Sequence, residues 1–139
     1  MPQPEFEIST DRARIDVALV HKMLSTTYWA AGRPLAVVER TIQNSICFGG
    51  YLRGRQVAFA RLVTDMAVLA YFADVYVVPE CRGRGYGKAL VGAMLEYTDR
   101  HGIAKVMLRT RDARGVYEKF GFGPLPQPEQ MMRRSLPQQ

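Results

Sequence analysis

The stretch from Asp74 to Leu90 constrains this chain most, because a strand, a breaker, a glycine loop and a helix follow one another there without interruption. Val75 to Val78 is a β-branched and aromatic run, which favours a strand. Pro79 cannot donate to a sheet ladder, so regular pairing should stop at it. Arg82-Gly83-Arg84-Gly85-Tyr86-Gly87 is then a basic loop spaced by glycines, and an amphipathic helix begins directly after it. The first turn of a helix leaves backbone N–H groups without partners, and its dipole adds partial positive charge. Glycines let that backbone approach a ligand closely, while Arg82, Arg84 and Lys88 add formal charge suited to phosphate oxygens. The predicted guest is a pyrophosphate or a group like it.

The loop is not a P-loop, since no Gly-Lys-Ser/Thr closes it. It is not a Rossmann fingerprint either, because Lys88 stands where the third glycine would fall. Instead, Val77-Val78-Pro79-x-x-Arg82-Gly83-x-Gly85-x-Gly87 closely resembles the acetyl-CoA-binding signature of the GCN5-related N-acetyltransferases, whose core is Gln/Arg-x-x-Gly-x-Gly/Ala. A second match, Ala113-x-x-x-Tyr117-Glu118-Lys119-x-Gly121-Phe122, resembles the segment that completes the cofactor site in that superfamily. The resemblance is tightest over residues 57–122 and holds only in outline before residue 50.

The resemblance implies an α/β fold: a mixed, mostly antiparallel central sheet with helices on both faces and a splayed parallel strand pair at the cofactor site. It implies one N-acetyltransferase domain over residues 1–139, with acetyl-CoA as co-substrate and direct transfer to a primary amine in a ternary complex. The acceptor is a small molecule or a peptide. Carried over residue by residue, Val77 and Val78 offer main-chain contacts to pantetheine, and Arg82, Gly83, Arg84, Gly85, Tyr86, Gly87 and Lys88 hold the pyrophosphate. Tyr117 matches the tyrosine that protonates the departing thiolate; it also shares an apolar face with Ala113 and Phe120, and a core body with a polar tip reconciles the two roles. The family often has an asparagine seven residues before this tyrosine. Here that position is Thr110, which can still hydrogen-bond the cofactor, although the asparagine contact does not carry over.

Asp74 lies where family members often place a carboxylate, and is the candidate general base or amine anchor. Burial among Tyr71, Phe72, Val75 and Tyr76 predicts a raised pKa, which suits a base; the alternative is a carboxylate satisfied by hydrogen bonds at the sheet edge. Asp65 and Glu39 are weaker candidates. Tyr28 and Trp29 fall between the first two helices, the region that covers the acceptor pocket in this fold, and serve as a substrate wall or a core plug. A non-catalytic acyl-CoA-binding module on the same fold is the alternative function.

At 139 residues and 47% hydrophobic, the chain suits one compact domain. It has no secretion signal and no apolar run long enough for a bilayer, so a cytoplasmic protein without membrane association is expected. Cys47 and Cys81 are expected to stay reduced, and neither has a histidine near in sequence to make it an acyl-carrying nucleophile. His21 and His101 lack metal-site spacing, so no metal is expected. The net charge of +6 gathers at the glycine loop and at Lys105, Arg109, Arg111 and Arg114, which suits a polyphosphate cofactor. No helix-turn-helix, zinc-finger or RNP pattern accompanies it, so no nucleic-acid partner is expected. A homodimer is the assembly that the superfamily implies.

In chain order, Phe6 to Ser9 is a short strand, and Thr10 or Asp11 caps a helix with Val17, Val20 and Leu24 on one face. Pro34 opens a second helix, which ends near Asn44 or Ser45. Ile46 to Leu52, Gln56 to Val63 and a strand ending near Val78 form an antiparallel meander. Gly102 closes the helix after the loop, and Lys105 to Thr110 is a strand parallel to the one before it. Asp112 caps a helix with Ala113, Val116, Tyr117 and Phe120 on one face. Gln130 to Arg134 is a last edge strand, and Pro137 to Gln139 fray.

Overall fold

The computed structural model describes residues 5–137; the expected fraying of Gln138 and Gln139 lies outside the described residues. The chain divides into two compact units, Met1–Arg109 and Thr110–Gln139.

The first unit is a five-stranded sheet in the order β1 (Phe6–Ser9), β2 (Ile46–Leu52), β3 (Arg55–Thr64), β4 (Leu69–Val77), β5 (Lys105–Leu108). The first four strands are antiparallel neighbours, and β5 runs parallel to β4. Helices α1 (Val17–Leu24) and α2 (Leu35–Gln43) bury Val20, Leu24, Val38 and Ile42 against Cys47, Phe59 and Tyr76 of the sheet. The Asp16 carboxylate caps α1 by accepting from the Leu19 N–H, whereas Asp11 caps a short 3-10 turn ahead of it. Pro34 precedes α2 as its cap residue, because its extended ψ of 153° is not helical.

Helix α3 (Tyr86–Arg100) buries Leu90, Val91 and Met94, and its Tyr97 meets Phe48 of β2 edge-on. Its contact with Phe48, the neighbour of Cys47 on a strand whose side chains alternate, puts α3 on the sheet face opposite α1 and α2. Gly102, at φ 67°, terminates it in the left-handed conformation that glycine supplies. Burying whole side chains such as Leu90 and Val38 stabilises the unit by roughly 1.5–3 kcal/mol each.

Two features of β4 position everything that follows. Its parallel register with β5 runs from Leu69↔Lys105 to Phe72↔Leu108 and stops, so residues 73–77 of β4 have no β5 partner. Next to that point the β3–β4 register slips, with Arg61 opposite Ala73 but Phe59 opposite Tyr76, so Asp74 and Val75 together oppose Ala60. Asp74 takes φ 54°, the left-handed conformation of a bulge residue.

The second unit holds α4 (Arg114–Glu118), closed by Gly121 at φ 93°. The Thr110 hydroxyl, not Asp112, receives the Ala113 N–H ahead of this helix, and Asp112 pairs instead with Arg111. Ala113, Tyr117 and Phe120 are half-buried, but Val116 is exposed, so the apolar face is narrower than its spacing suggests. The expected strand over Gln130 to Arg134 is absent: Pro128–Gln130 is a 3-10 turn, and residues 131–136 carry no regular structure. Pro124, Pro126 and Pro128 keep the approach to this segment out of any ladder.

Candidate active site

At the bulge, Asp74 is 6% exposed and gathers three donors from two segments, the α1–α2 connection and β3. Its Oδ1 accepts from Trp29 Nε1 at 2.8 Å, while Oδ2 accepts from Arg33 Nη1 at 2.8 Å and Arg61 Nε at 2.6 Å. Arg61 Nη1 also donates to the Ser45 hydroxyl at 3.1 Å. His21 Nε2 lies 3.1 Å from the Arg33 carbonyl, which can only accept, so this nitrogen carries the proton and fixes the loop holding Arg33. Tyr28 lies edge-on to Trp29, with ring centroids 5.1 Å apart, and the two rings are 53% and 43% exposed.

This arrangement reverses the expected pKa of Asp74. Burial pushes the carboxyl upward, but the charges of Arg61 and Arg33 and the hydrogen bonds from Arg61 and Trp29 outweigh it, holding the pKa below the ordinary value. Asp65 is a turn residue: its Oδ1 accepts from the N–H groups of Ala67, Val68 and Leu69. Glu39 is exposed on α2. Cys47 is buried, which pushes its thiol up to about 11 and keeps it protonated at neutral pH.

The glycine loop has a different character. Gly83 and Gly85 stand at φ 80° and 86°, where a side chain would be strained, and Gly85 is the cap residue of α3 with no side-chain cap hydrogen bond. A Cβ at Gly87 would meet nothing closer than Val77 Cγ2 at 3.9 Å, so neither packing nor backbone conformation calls for glycine there. Arg84 and Lys88 are exposed and form no ion pair among the described residues. An open, uncapped helix start with bare glycines and exposed cations fits a polyphosphate.

Other expected cofactor contacts are partly committed within the fold. Arg82 Nε donates to the Val77 carbonyl at 2.8 Å, its guanidinium lies 5.2 Å from the Tyr76 ring centroid, and the Val78 N–H donates to the Val57 carbonyl. The Tyr86 ring is buried and stacks on Phe6, with centroids 4.2 Å apart, which leaves its main chain for the loop. In the second unit, burial raises the Tyr117 pKa and its ring meets Phe122 edge-on.

The profile of the Acetyltransferase (GNAT) family matches residues 17–122. This chain belongs to the GNAT acetyltransferase family. A crystal structure of a GNAT-family protein from Xanthomonas campestris pv. campestris is 47% identical, with a TM-score of 0.91 over 98% of this chain and 96% of that one. A Gibberella zeae protein assigned as an acetyltransferase is 28% identical, over 83% of this chain and 77% of that one. The ribosomal-protein-alanine N-acetyltransferase of Brucella melitensis shares the fold, at a TM-score of 0.72 and 19% identity over 94% of this chain and 99% of that one. The GNAT fold is thus the mixed sheet described above, with β4 and β5 parallel. Membership of the family implies an acyl-CoA co-substrate and an acceptor to receive the acyl group. No helix among the described residues is long and apolar enough to cross a membrane.

The structure brings together Trp29 and Asp74, which the sequence offered only as separate candidates, and adds Arg33 and Arg61, which sequence reasoning left aside. A signal was present: Arg61 interrupts the apolar strand Val57-Ala58-Phe59-Ala60-Arg61-Leu62, and a charge there needs a buried counter-charge.

Proposed function

We propose that this GNAT protein is an acetyl-CoA-dependent N-acetyltransferase that acetylates a primary amine of a small molecule or peptide by direct attack in a ternary complex, with residues 1–139 acting as one catalytic domain. The observation that carries this reading is the uncapped glycine loop at the foot of a strand whose parallel partner stops at Phe72↔Leu108. When bound, acetyl-CoA supplies the acetyl group as a thioester and departs as the thiol. Gly83, Gly85 and Gly87 let main-chain N–H groups approach the pyrophosphate, and Arg84 and Lys88 neutralise its charge. Val77 and Val78 border the pantetheine with main chain, and Thr110, whose oxygen already accepts from Ala113, still has its own proton to donate. Tyr117 stays protonated at neutral pH and holds a proton at Oη for the departing sulfur.

Asp74 acts as a positioning residue rather than the base. It is ionised, and both oxygens are engaged, so it has little proton affinity left for an incoming ammonium. The amine therefore loses its proton to water before attack. That engaged carboxylate also favours a second reading, an acyl-CoA-binding module without turnover. Incubation with acetyl-CoA and a panel of amines, read by thiol release, separates the two. Release that requires an amine and falls at least about tenfold in Tyr117→Phe supports transfer. Saturable acetyl-CoA binding with no release for any amine supports the module.

A further inference from the structure

Among the described residues, the Asp74 corner holds more positive charge than it neutralises. One carboxylate faces two guanidiniums, and no other carboxylate pairs with Arg33 or Arg61. A third guanidinium, Arg12, donates to the Ser45 carbonyl at 3.2 Å, on the same residue whose hydroxyl receives Arg61. Neither Arg33 nor Arg61 meets Asp74 as a two-toothed fork, since each reaches it through a single nitrogen, Nη1 of Arg33 and Nε of Arg61. An arginine carries five N–H donors in a planar fork. The Arg33 side chain is 21% exposed, so it is not sealed inside the fold as the Asp74 carboxylate is.

The corner also sits beside the reacting end of the sheet. Asp74 is two residues beyond Phe72, the last β4 residue paired to β5, and therefore at the start of the gap. Trp29 and Tyr28 stand exposed next to it as an aromatic wall. An incoming amine thus meets an apolar surface and a guanidinium in excess of its counter-charge. A bare cationic amine is repelled there, whereas an amine bearing its own carboxylate completes the ion-pair count.

The geometry points to a small amino carboxylate, of the amino-acid type, as the acceptor, its carboxylate held by Arg33 and its body against Trp29. This rests on the transferase reading, since it names that reaction's second substrate. The Asp74 carboxylate fixes Arg33 and Arg61 in place, and Arg33 is the specificity-determining side chain.

Trp29 is the only tryptophan of the chain, and its Nε1 is bonded to Asp74, so its fluorescence reports on this corner without any turnover. The test titrates the protein with aliphatic, polar and acidic amino acids, each against its own α-amide, and follows that emission. The expected result is a saturable change with at least one amino acid, about 10- to 100-fold weaker with its amide. Arg33→Gln should weaken the acid to the level of the amide, and Arg33→Lys should recover part of the preference. If no amino acid gives a saturable change, or acids and amides bind alike, the assignment is overturned. It is overturned equally if Arg33→Gln leaves the preference intact. Calorimetric binding of acetyl-CoA to the same samples keeps the two readings apart: if it binds while the acid preference is missing, only the acceptor assignment fails.

Discussion

Two clusters of basic side chains in this protein are handled in opposite ways. Arg33 and Arg61 are drawn into the fold, each bonded to the buried Asp74 carboxylate, and they tie the α1–α2 connection to strands β3 and β4. Arg84 on the glycine loop and Lys88 in the first turn of α3 stand exposed without an ion-pair partner among the described residues. The first group shapes the molecule, and losing it should be felt in stability. The second is exposed and is proposed to meet the cofactor's phosphates, so losing it should be felt in binding rather than in stability.

The largest effect is expected at the buried corner. Asp74→Ala leaves two guanidiniums without their counter-charge and should destabilise the fold by about 3–5 kcal/mol, read from denaturant unfolding. A loss below about 1 kcal/mol would mean that water or a rearranged side chain replaces the carboxylate, and the contrast between the clusters would weaken. On the loop, the double change Arg84→Ala and Lys88→Ala should weaken acetyl-CoA binding about 10- to 100-fold while the unfolding midpoint stays where it was. A shift in both quantities would show that the loop cations also support the fold.

The pH dependence sharpens the same point. Since the Asp74 pKa is depressed in the folded state, its stabilisation is present above the unfolded-state carboxylate value, near pH 4, and is lost as pH falls through the depressed native value. The stability advantage of wild type over Asp74→Asn, read from denaturant unfolding at a series of pH values, should therefore be full above about pH 4 and shrink as pH falls below it, because the variant lacks this titration. Parallel acid profiles would contradict the depressed value.

The smallest effect separates two glycines of α3. Neither Gly87 nor Gly92 would meet a close neighbour if given a Cβ, so each Gly→Ala change should stabilise the helix by about 0.5–1 kcal/mol. Only Gly87→Ala should also weaken acetyl-CoA binding, because only Gly87 lies beside the loop. Equal behaviour of the two would mean that the cofactor does not approach that turn.

The loop was legible in the sequence because its chemistry is local. Gly83, Gly85 and the helix start they open are contiguous, and backbone conformation follows directly from residue type there. The meander was legible for a similar reason, since the short turn at Arg53-Gly54 joins two apolar runs as antiparallel neighbours. The Asp74 corner was not, because its partners lie 45, 41 and 13 residues away in sequence. Burial could be read from the apolar neighbours of Asp74, and it predicts a raised pKa; the arginines that reverse the shift could not. The strand expected over Gln130 to Arg134 failed for a related reason, because a strand needs a paired neighbour and the residues themselves specify none.

The most direct measurement is a calorimetric titration of the purified protein with acetyl-CoA, with free CoA and ATP as comparators at one salt concentration. Acetyl-CoA should bind saturably and far more tightly than ATP if, as proposed, the strand gap takes the pantetheine arm while the loop takes the phosphates. The absence of heat with acetyl-CoA from folded protein, or affinity equal to that of ATP, would contradict the account and leave the glycine loop as a site for some other polyphosphate.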